Sequence, residues 1–162
     1  MKSDLYYLKE AYTLASEVST DPSTQNGAVL VNDKGHILAW GANHFPNGVK
    51  ESEERWTRPA KYQWVEHAER NAIFHAAKRG VKTKGLIMYC PWFACADCGR
   101  AIIQAGIKHV VGHSTKLHET SPNWKDSIAV ALKMFDESGV TYRYVEGEID
   151  VDIRFNGKIV KV

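Results

Sequence analysis

Residues 66–103 read EHAERNAIFHAAKRGVKTKGLIMYCPWFACADCGRAII, and this stretch decides the fold. Small apolar residues at helical spacing predict a helix from Glu66 to Arg79. The short apolar run from Leu86 to Cys90 predicts a strand, and the segment from Cys95 to Ala105 predicts a second helix. A strand between two helices is typical of an α/β layered fold.

The flanking sequence extends this alternation of helices and strands. Further helices are predicted at residues 4–18 and 126–137, and further strands at 28–31, 37–42, 108–111 and 140–145. Residues 43–62 are rich in Gly, Pro, Asn and charged side chains and predict a long loop, a feature that is usually functional or disordered. Alternating apolar residues from Ile149 to Phe155, followed by Asn156-Gly157, predict a C-terminal hairpin. We expect one domain over residues 1–162, with a core at 4–145 and a hairpin extension at 146–162.

The composition excludes several classes of protein. The chain has 162 residues, and its 21 basic and 19 acidic side chains give a net charge of +2. This charge is too weak to favour a general nucleic-acid or membrane surface. No apolar run reaches the roughly 18 residues of a membrane helix, and the N-terminus is unlike a signal peptide, so we expect a cytoplasmic protein. Two of the three cysteines form C-x-x-C, which indicates metal or redox chemistry in a reducing compartment.

Three side chains in the central stretch predict a catalytic zinc site. A catalytic zinc ion takes three protein ligands and keeps one position open for water, and His67, Cys95 and Cys98 supply three suitable ligands. Cys95 and Cys98 share a helix face, and a helix N-terminus favours a thiolate. Glu69 can approach the open position without being a ligand. A H-x-E motif followed by C-x-x-C is typical of zinc-dependent nucleobase deaminases.

Other interpretations of the cysteine pair explain less of the sequence. A thioredoxin-like redox site gives no reason for His67-Ala68-Glu69. A structural zinc site needs a fourth protein ligand, and Cys90, the only other cysteine, is more typical of a buried free thiol. A catalytically silent zinc module used for assembly has no need of the non-ligand acid Glu69.

From about residue 11 to residue 145 the chain resembles the deoxycytidylate (dCMP) deaminases of the cytidine deaminase-like zinc superfamily. The matching segments are Asp21-Pro22-Ser23-Thr24-Gln25-Asn26-Gly27-Ala28-Val29, Gly41-Ala42-Asn43, His67-Ala68-Glu69-Arg70-Asn71-Ala72-Ile73 and Cys95-Ala96-Asp97-Cys98. The resemblance implies a three-layer α/β/α fold around a mixed five-stranded sheet, usually in a homohexamer. For many members it also implies activation by dCTP and inhibition by dTTP. Mg²⁺ would then bind together with the effector nucleotide.

The implied reaction converts dCMP to dUMP with release of ammonia. Zinc lowers the pKa of bound water toward about 7, and Glu69 carries the proton to N3 of cytosine and then helps the ammonia to leave. Asn43 resembles the family's sugar-binding Asn, although a turn residue is an equal interpretation. Trp92 and Phe93 flank the base or belong to the core.

Phosphate recognition departs from the family pattern. An Arg often precedes the Asp-Pro segment in relatives, and the nearest equivalent here is Val18. Lys116, His118 and Arg58 are the candidates that remain, although charged loop residues are usually only solvated.

Two further departures concern the loops around the zinc site. Ala94 stands where relatives often have Pro before the first zinc Cys. Residues 45–62 contain neither Cys nor His, so the second zinc of some viral relatives is not expected and we predict one ion per chain.

Two other enzyme classes compete with a dCMP deaminase. Pro91-Trp92-Phe93-Ala94-Cys95 is similar to the corresponding loop of deaminases that act on tRNA or single strands, but the weak net charge disfavours a polynucleotide substrate. A riboflavin-pathway deaminase is disfavoured because its zinc cysteines are spaced more widely than in C-x-x-C.

Overall fold

The computed structural model describes residues 1–115 and 122–162. The helices are α1 Asp4–Val18, α2 Glu53–Trp56, α3 Lys61–Trp64, α4 Ala68–Lys78, α5 Ala96–Gln104 and α6 Lys125–Ser138. The strands are β1 Gly27–Val31, β2 Ile37–Ala42, β3 Ile87–Tyr89, β4 His109–His113, β5 Thr141–Val145, β6 Asp152–Phe155 and β7 Lys158–Lys161. Within the described ranges, every helix is too short or too polar to cross a membrane.

Strands β1 to β5 form one mixed sheet in the order β2-β1-β3-β4-β5. Strand β1 is antiparallel to β2 and β3, whereas β4 is parallel to both β3 and β5. The parallel connections require crossovers, and α5 and α6 provide them. The mixed five-stranded sheet predicted from the family resemblance is confirmed.

Each face of the sheet has its own apolar cluster. Ala28 and Leu30 of β1 belong to the cluster formed with α4, α5 and α6, whereas Val29 and Val31 belong to the cluster formed with α1. Because successive side chains of a strand point to opposite faces, a fully apolar strand must be covered on both sides. The result is the layered arrangement of helices, sheet and helix that the sequence predicts.

Close packing at Gly41 sets the position of α4 against the sheet. A Cβ at this residue would lie 2.3 Å from the backbone nitrogen of Ala72 and 2.4 Å from the carbonyl oxygen of Ala68. Only glycine lets the backbone of β2 approach a helix so closely. This contact brings the first turn of α4, and with it the residues around His67, to the end of the sheet.

The C-terminal hairpin is present as predicted. Strands β6 and β7 pair in an antiparallel manner, and Asn156 and Gly157 adopt positive φ angles of 49° and 77° at the turn. Positive φ at both central residues is the geometry for which Asn-Gly is selected. Ile153 of β6 is fully buried in the cluster formed with α1, so the hairpin is fixed to the body of the protein.

Helix α4 begins two residues later than the sequence predicts. Glu66 pairs with His44 in an isolated bridge, in which the Glu66 amide donates to the His44 carbonyl at 2.9 Å and the His44 amide donates in return at 3.3 Å. These bonds hold Glu66 in extended backbone. His67 is therefore the N-cap of α4, with φ −77° and ψ 152°.

The segment predicted as a long loop contains α2 and the beginning of α3. The Ser52 hydroxyl caps α2 by accepting from the Arg55 amide at 3.4 Å. The Phe45 ring packs against Trp56 and Trp64, with centroids 4.4 and 6.4 Å apart. These ring contacts form a small apolar cluster around Phe45. Residue propensities do not predict the cluster, because its members are far apart in the sequence.

Candidate active site

Three potential metal ligands converge at the N-terminal ends of α4 and α5. The Nδ1 atom of His67 lies 3.5 Å from Cys95 Sγ and 3.4 Å from Cys98 Sγ, and all three donor atoms lie within 4.8 Å of one another. Zn–S bonds of about 2.3 Å and Zn–N bonds of about 2.0 Å at a tetrahedral ion would separate N and S by about 3.5 Å. The donor set therefore fits one zinc ion.

Local backbone geometry aims these donors at a common point. Cys95 is the N-cap of α5, as His67 is of α4, and Cys98 follows one helical turn after Cys95. The first amide of α5, that of Ala96, donates to the Ser127 hydroxyl of α6 at 2.9 Å. The Trp124 and His67 rings pack in a T-shaped arrangement, with centroids 5.6 Å apart and planes at 76°. Neighbouring elements thus fix both helix ends.

The contacts within the donor group shift the pKa values of its two cysteines in opposite directions. Hydrogen bonds with Cys98 and with His67 lower the pKa of Cys95 to about 4, although burial acts in the opposite direction. The hydrogen bond with Cys95 and burial raise the pKa of Cys98. The lowered pKa of Cys95 favours the thiolate, which is the form of cysteine that binds a metal ion.

Glu69 is a buried carboxyl group beside these ligands. The residue is 3% exposed, and among the described residues its Oε2 atom has no hydrogen-bond partner. Burial raises the pKa of Glu69 above its ordinary value, although the positive charge of His67 opposes this effect. A buried carboxyl oxygen without a partner is costly, so its presence indicates a functional role rather than a structural one.

A cavity of about 700 Å³ opens in front of His67, Glu69 and Cys95. Its volume lies within the range of about 300–1,000 Å³ that is common for small-molecule sites. Arg58 and Lys125 border it as well, together with Lys61, whose charge is paired with that of Asp21. The cavity therefore places the candidate metal group and the buried acid at one end of a space that could hold a small anionic molecule.

Asn43 borders the cavity, but its side-chain amide already forms hydrogen bonds with neighbouring residues. Its Nδ2 atom donates to Asp21 Oδ2 at 3.1 Å and to the Thr24 carbonyl at 2.8 Å. Its Oδ1 atom accepts from the Asn26 amide and the Ser19 hydroxyl, each at 2.7 Å. The side chain holds the Asp21–Asn26 segment against β2, and its contact with a sugar stays a prediction.

Asp21 in turn forms a buried ion pair with Lys61. The Lys61 Nζ atom lies 2.7 Å from Asp21 Oδ2, and the two side chains are only 7% and 3% exposed. The other carboxylate oxygen accepts from the amides of Ser23 and Thr24. Sequence reasoning missed this pair, because neither residue belongs to a motif that marks charged partners.

The two aromatic residues before Cys95 both border the cavity, and their surroundings differ. Phe93 is 9% exposed and packs in the core against Phe135, Tyr142 and Tyr144. Trp92 stacks instead on Phe155 of the C-terminal hairpin. Contact of either ring with the base stays a prediction, since core packing and cavity lining are both present.

Of the predicted phosphate contacts, Arg58 borders the cavity. Its Nε atom donates to the Tyr62 hydroxyl at 2.9 Å, and its Nη2 atom lies 3.4 Å from Ser23 Oγ. Lys116 and His118 lie outside the described residues. Lys125, at the start of α6, borders the cavity too and was not predicted.

The comparisons with known proteins agree with this geometry. Residues 1–114 match the family model described as the cytidine and deoxycytidylate deaminase zinc-binding region. The chain is 39% identical to the deoxycytidylate deaminase of Pongo abelii and 38% identical to that of Homo sapiens, in each case over 85% of this chain and 76% of the relative.

A solved structure is similar over most of the chain. The crystal structure of the dCMP deaminase from cyanophage S-TIM5, in complex with dCMP and dUMP, matches with a TM-score of 0.68 and 28% identity. The match covers 90% of this chain and 99% of that one. The similarity thus extends well beyond the residues around the cavity.

Proposed function

The chain belongs to the cytidine and deoxycytidylate deaminases, and we propose that it hydrolyses dCMP to dUMP with release of ammonia. The observation that carries this proposal is the buried Glu69 carboxyl, with an unpartnered oxygen, beside the His67, Cys95 and Cys98 donor group. The curated relatives and the structural neighbour that the chain resembles are named as enzymes that act on this nucleotide. A silent module for assembly would have no use for such an acid.

His67, Cys95 and Cys98 would hold one zinc ion. The zinc ion would act as a Lewis acid that makes water a stronger nucleophile near neutral pH. The three residues leave one side of the group facing the cavity, where Glu69 also lies. Substrate and water could therefore reach the group from the cavity.

Glu69 would move the protons of the reaction. Its carboxylate would take a proton from the attacking water and pass it to N3 of cytosine as oxygen bonds to C4. It would then deliver the second proton of that water to the departing amino group, which leaves as ammonia when the C4–N4 bond breaks. The raised pKa of the buried carboxyl suits a group that must both accept and donate near neutral pH.

The size and charge of the cavity favour a free nucleotide over a polynucleotide. A volume of about 700 Å³ suits one nucleotide, and Arg58 and Lys125 supply positive charge at its border. A polynucleotide deaminase would need positive charge along an extended surface, whereas this chain carries only +2. Arg58 is therefore our first candidate for the contact with the substrate phosphate.

The decisive experiment measures ammonia release by the purified protein from dCMP, dCTP, deoxycytidine, CMP and a single-stranded oligonucleotide. We expect the highest kcat/KM for dCMP. Faster turnover of the oligonucleotide would establish the nucleic-acid alternative and overturn this proposal.

The Glu69→Gln variant tests the mechanism. It should retain zinc and the fold. Its kcat should fall by more than the 10²–10⁴-fold that is typical of losing one general acid–base group, because Glu69 serves several proton transfers. Glu137→Gln, on the exposed side of α6, is the matched control and should keep wild-type activity. A Glu69→Gln enzyme with one tenth of the wild-type rate would remove Glu69 from the mechanism.

We also propose a homohexamer that dCTP activates and dTTP inhibits, with Mg²⁺ accompanying the effector nucleotide. This proposal rests on family resemblance. Sedimentation equilibrium tests the hexamer, and dCMP saturation curves recorded with and without dCTP or dTTP, in the presence of Mg²⁺, test the regulation. A monomer at micromolar concentration, or curves unchanged by either nucleotide, would contradict it.

A further inference from the structure

The C-terminal hairpin supplies part of the cavity wall. Phe155 and Asn156, at the end of β6 and in the turn, border the same cavity as Glu69. The region that matches the family model ends at residue 114, so these two residues lie outside it. The hairpin is therefore an addition to the matched zinc-binding region that reaches the site.

Hydrogen bonds fix the hairpin to the segment that follows α1. The Gln25 amide donates to the Arg154 carbonyl at 2.9 Å, and the Arg154 amide donates to Gln25 Oε1 at 2.8 Å. The Gly157 amide donates to the Ser23 carbonyl at 2.8 Å. With Ile153 fully buried, the backbone on both sides of Phe155 is held in place.

Phe155 meets Trp92 in a nearly parallel stack. The ring centroids are 4.9 Å apart, the planes differ by 10°, and Phe155 is 8% exposed. The Cys90 thiol donates to the Trp92 backbone carbonyl at 3.0 Å. Trp92 lies three residues before Cys95, in the loop that leads from β3 to the candidate metal ligands. Phe155 of the hairpin thus packs directly on an aromatic side chain of the cavity wall.

We propose that Phe155 is a substrate-positioning residue that acts by holding the Trp92 indole in place as a wall against which the nucleotide docks. This inference rests on the proposed dCMP deaminase function. Because Phe155 is neither a proton carrier nor a metal ligand, its loss should weaken substrate binding and leave the chemical step largely intact. Loss of one aromatic contact should raise KM by about 3- to 10-fold.

The test compares Phe155→Ala and Phe155→Tyr with wild type in dCMP saturation kinetics, zinc content and thermal unfolding. Phe155→Ala should raise KM about 3- to 10-fold with kcat within about 2-fold of wild type, and Phe155→Tyr should restore KM. Ile159→Ala is the control, because Ile159 lies on β7 of the same hairpin and is 63% exposed. If Phe155→Ala does not fold, Phe155→Leu takes its place, since it keeps apolar bulk without a planar ring.

Three results would overturn the inference. They are an unchanged KM in Phe155→Ala, a parallel loss of kcat and zinc, and an equal rise of KM in Ile159→Ala. Wild-type protein without dCMP turnover would instead defeat the proposed function, so the two failures are distinguishable.

Discussion

Removal of the Lys61 ammonium group should destabilise the protein strongly. Lys61 Nζ lies 2.7 Å from Asp21 Oδ2, with both side chains nearly inaccessible to solvent. Lys61→Met keeps most of the aliphatic length but leaves the Asp21 carboxylate buried without its countercharge. Breaking a buried ion pair by removing one partner costs about 3–5 kcal/mol. The amides of Ser23 and Thr24 and the Asn43 amide group still donate to Asp21, so we expect a value near the lower limit.

This free energy predicts a measurable change in thermal unfolding. One kcal/mol shifts the Tm of a chain of this size by about 2–4 °C, so a loss of about 3 kcal/mol lowers the Tm by about 6–12 °C. Differential scanning calorimetry at a fixed protein concentration measures the shift. The exposed Lys133 of α6 provides the control, and Lys133→Met should change stability by less than about 0.5 kcal/mol.

A double-mutant cycle separates the ion pair from other effects. Asp21→Asn combined with Lys61→Met should lose less stability than the sum of the two single variants, because there is only one charged pair to break. A Lys61→Met variant within 2 °C of wild type, or strict additivity in the cycle, would refute the conclusion that this buried pair stabilises the fold.

Three shorter predictions concern the zinc ligands, Cys90 and the Asp4–Arg143 ion pair. Elemental analysis should find one zinc ion per chain in wild type and much less in Cys98→Ser, whereas two ions per chain would contradict a single site. Cys90 is buried and burial raises the pKa of its thiol, so peptide mapping should find it unmodified by iodoacetamide at pH 8 in the folded protein and modified after unfolding. The Arg143 guanidinium lowers the pKa of Asp4 below 3.8, so this pair contributes stability above that value and loses it as the pH falls through the lowered pKa of the folded state. The Tm difference between wild type and Arg143→Gln should accordingly be constant from pH 7 to pH 5 and shrink below pH 3.8, and a difference independent of pH would contradict the assignment.

The sequence by itself predicted the His67, Cys95 and Cys98 donor group and the order of the longer helices and of the strands. Few side chains bind zinc, and the spacing of Cys95 and Cys98 on one helix places them together whatever the rest of the chain does. The hairpin followed from the local geometry that Asn156-Gly157 prefers. These predictions depend on interactions between residues that are close in the sequence, so the sequence alone is enough to make them.

Only the tertiary structure decided which distant residues surround the cavity. Three contacts join segments that are distant in the sequence: the Asp21–Lys61 pair, the Trp92–Phe155 stack and the Glu66–His44 bridge. The last of these makes α4 begin later than predicted. No periodicity marks such partners, because their contacts depend on how the helices and the hairpin pack against the sheet. The side chain of Asn43 illustrates the same limit, since its position in the sequence suggests a sugar contact while the fold surrounds it with four hydrogen-bond partners.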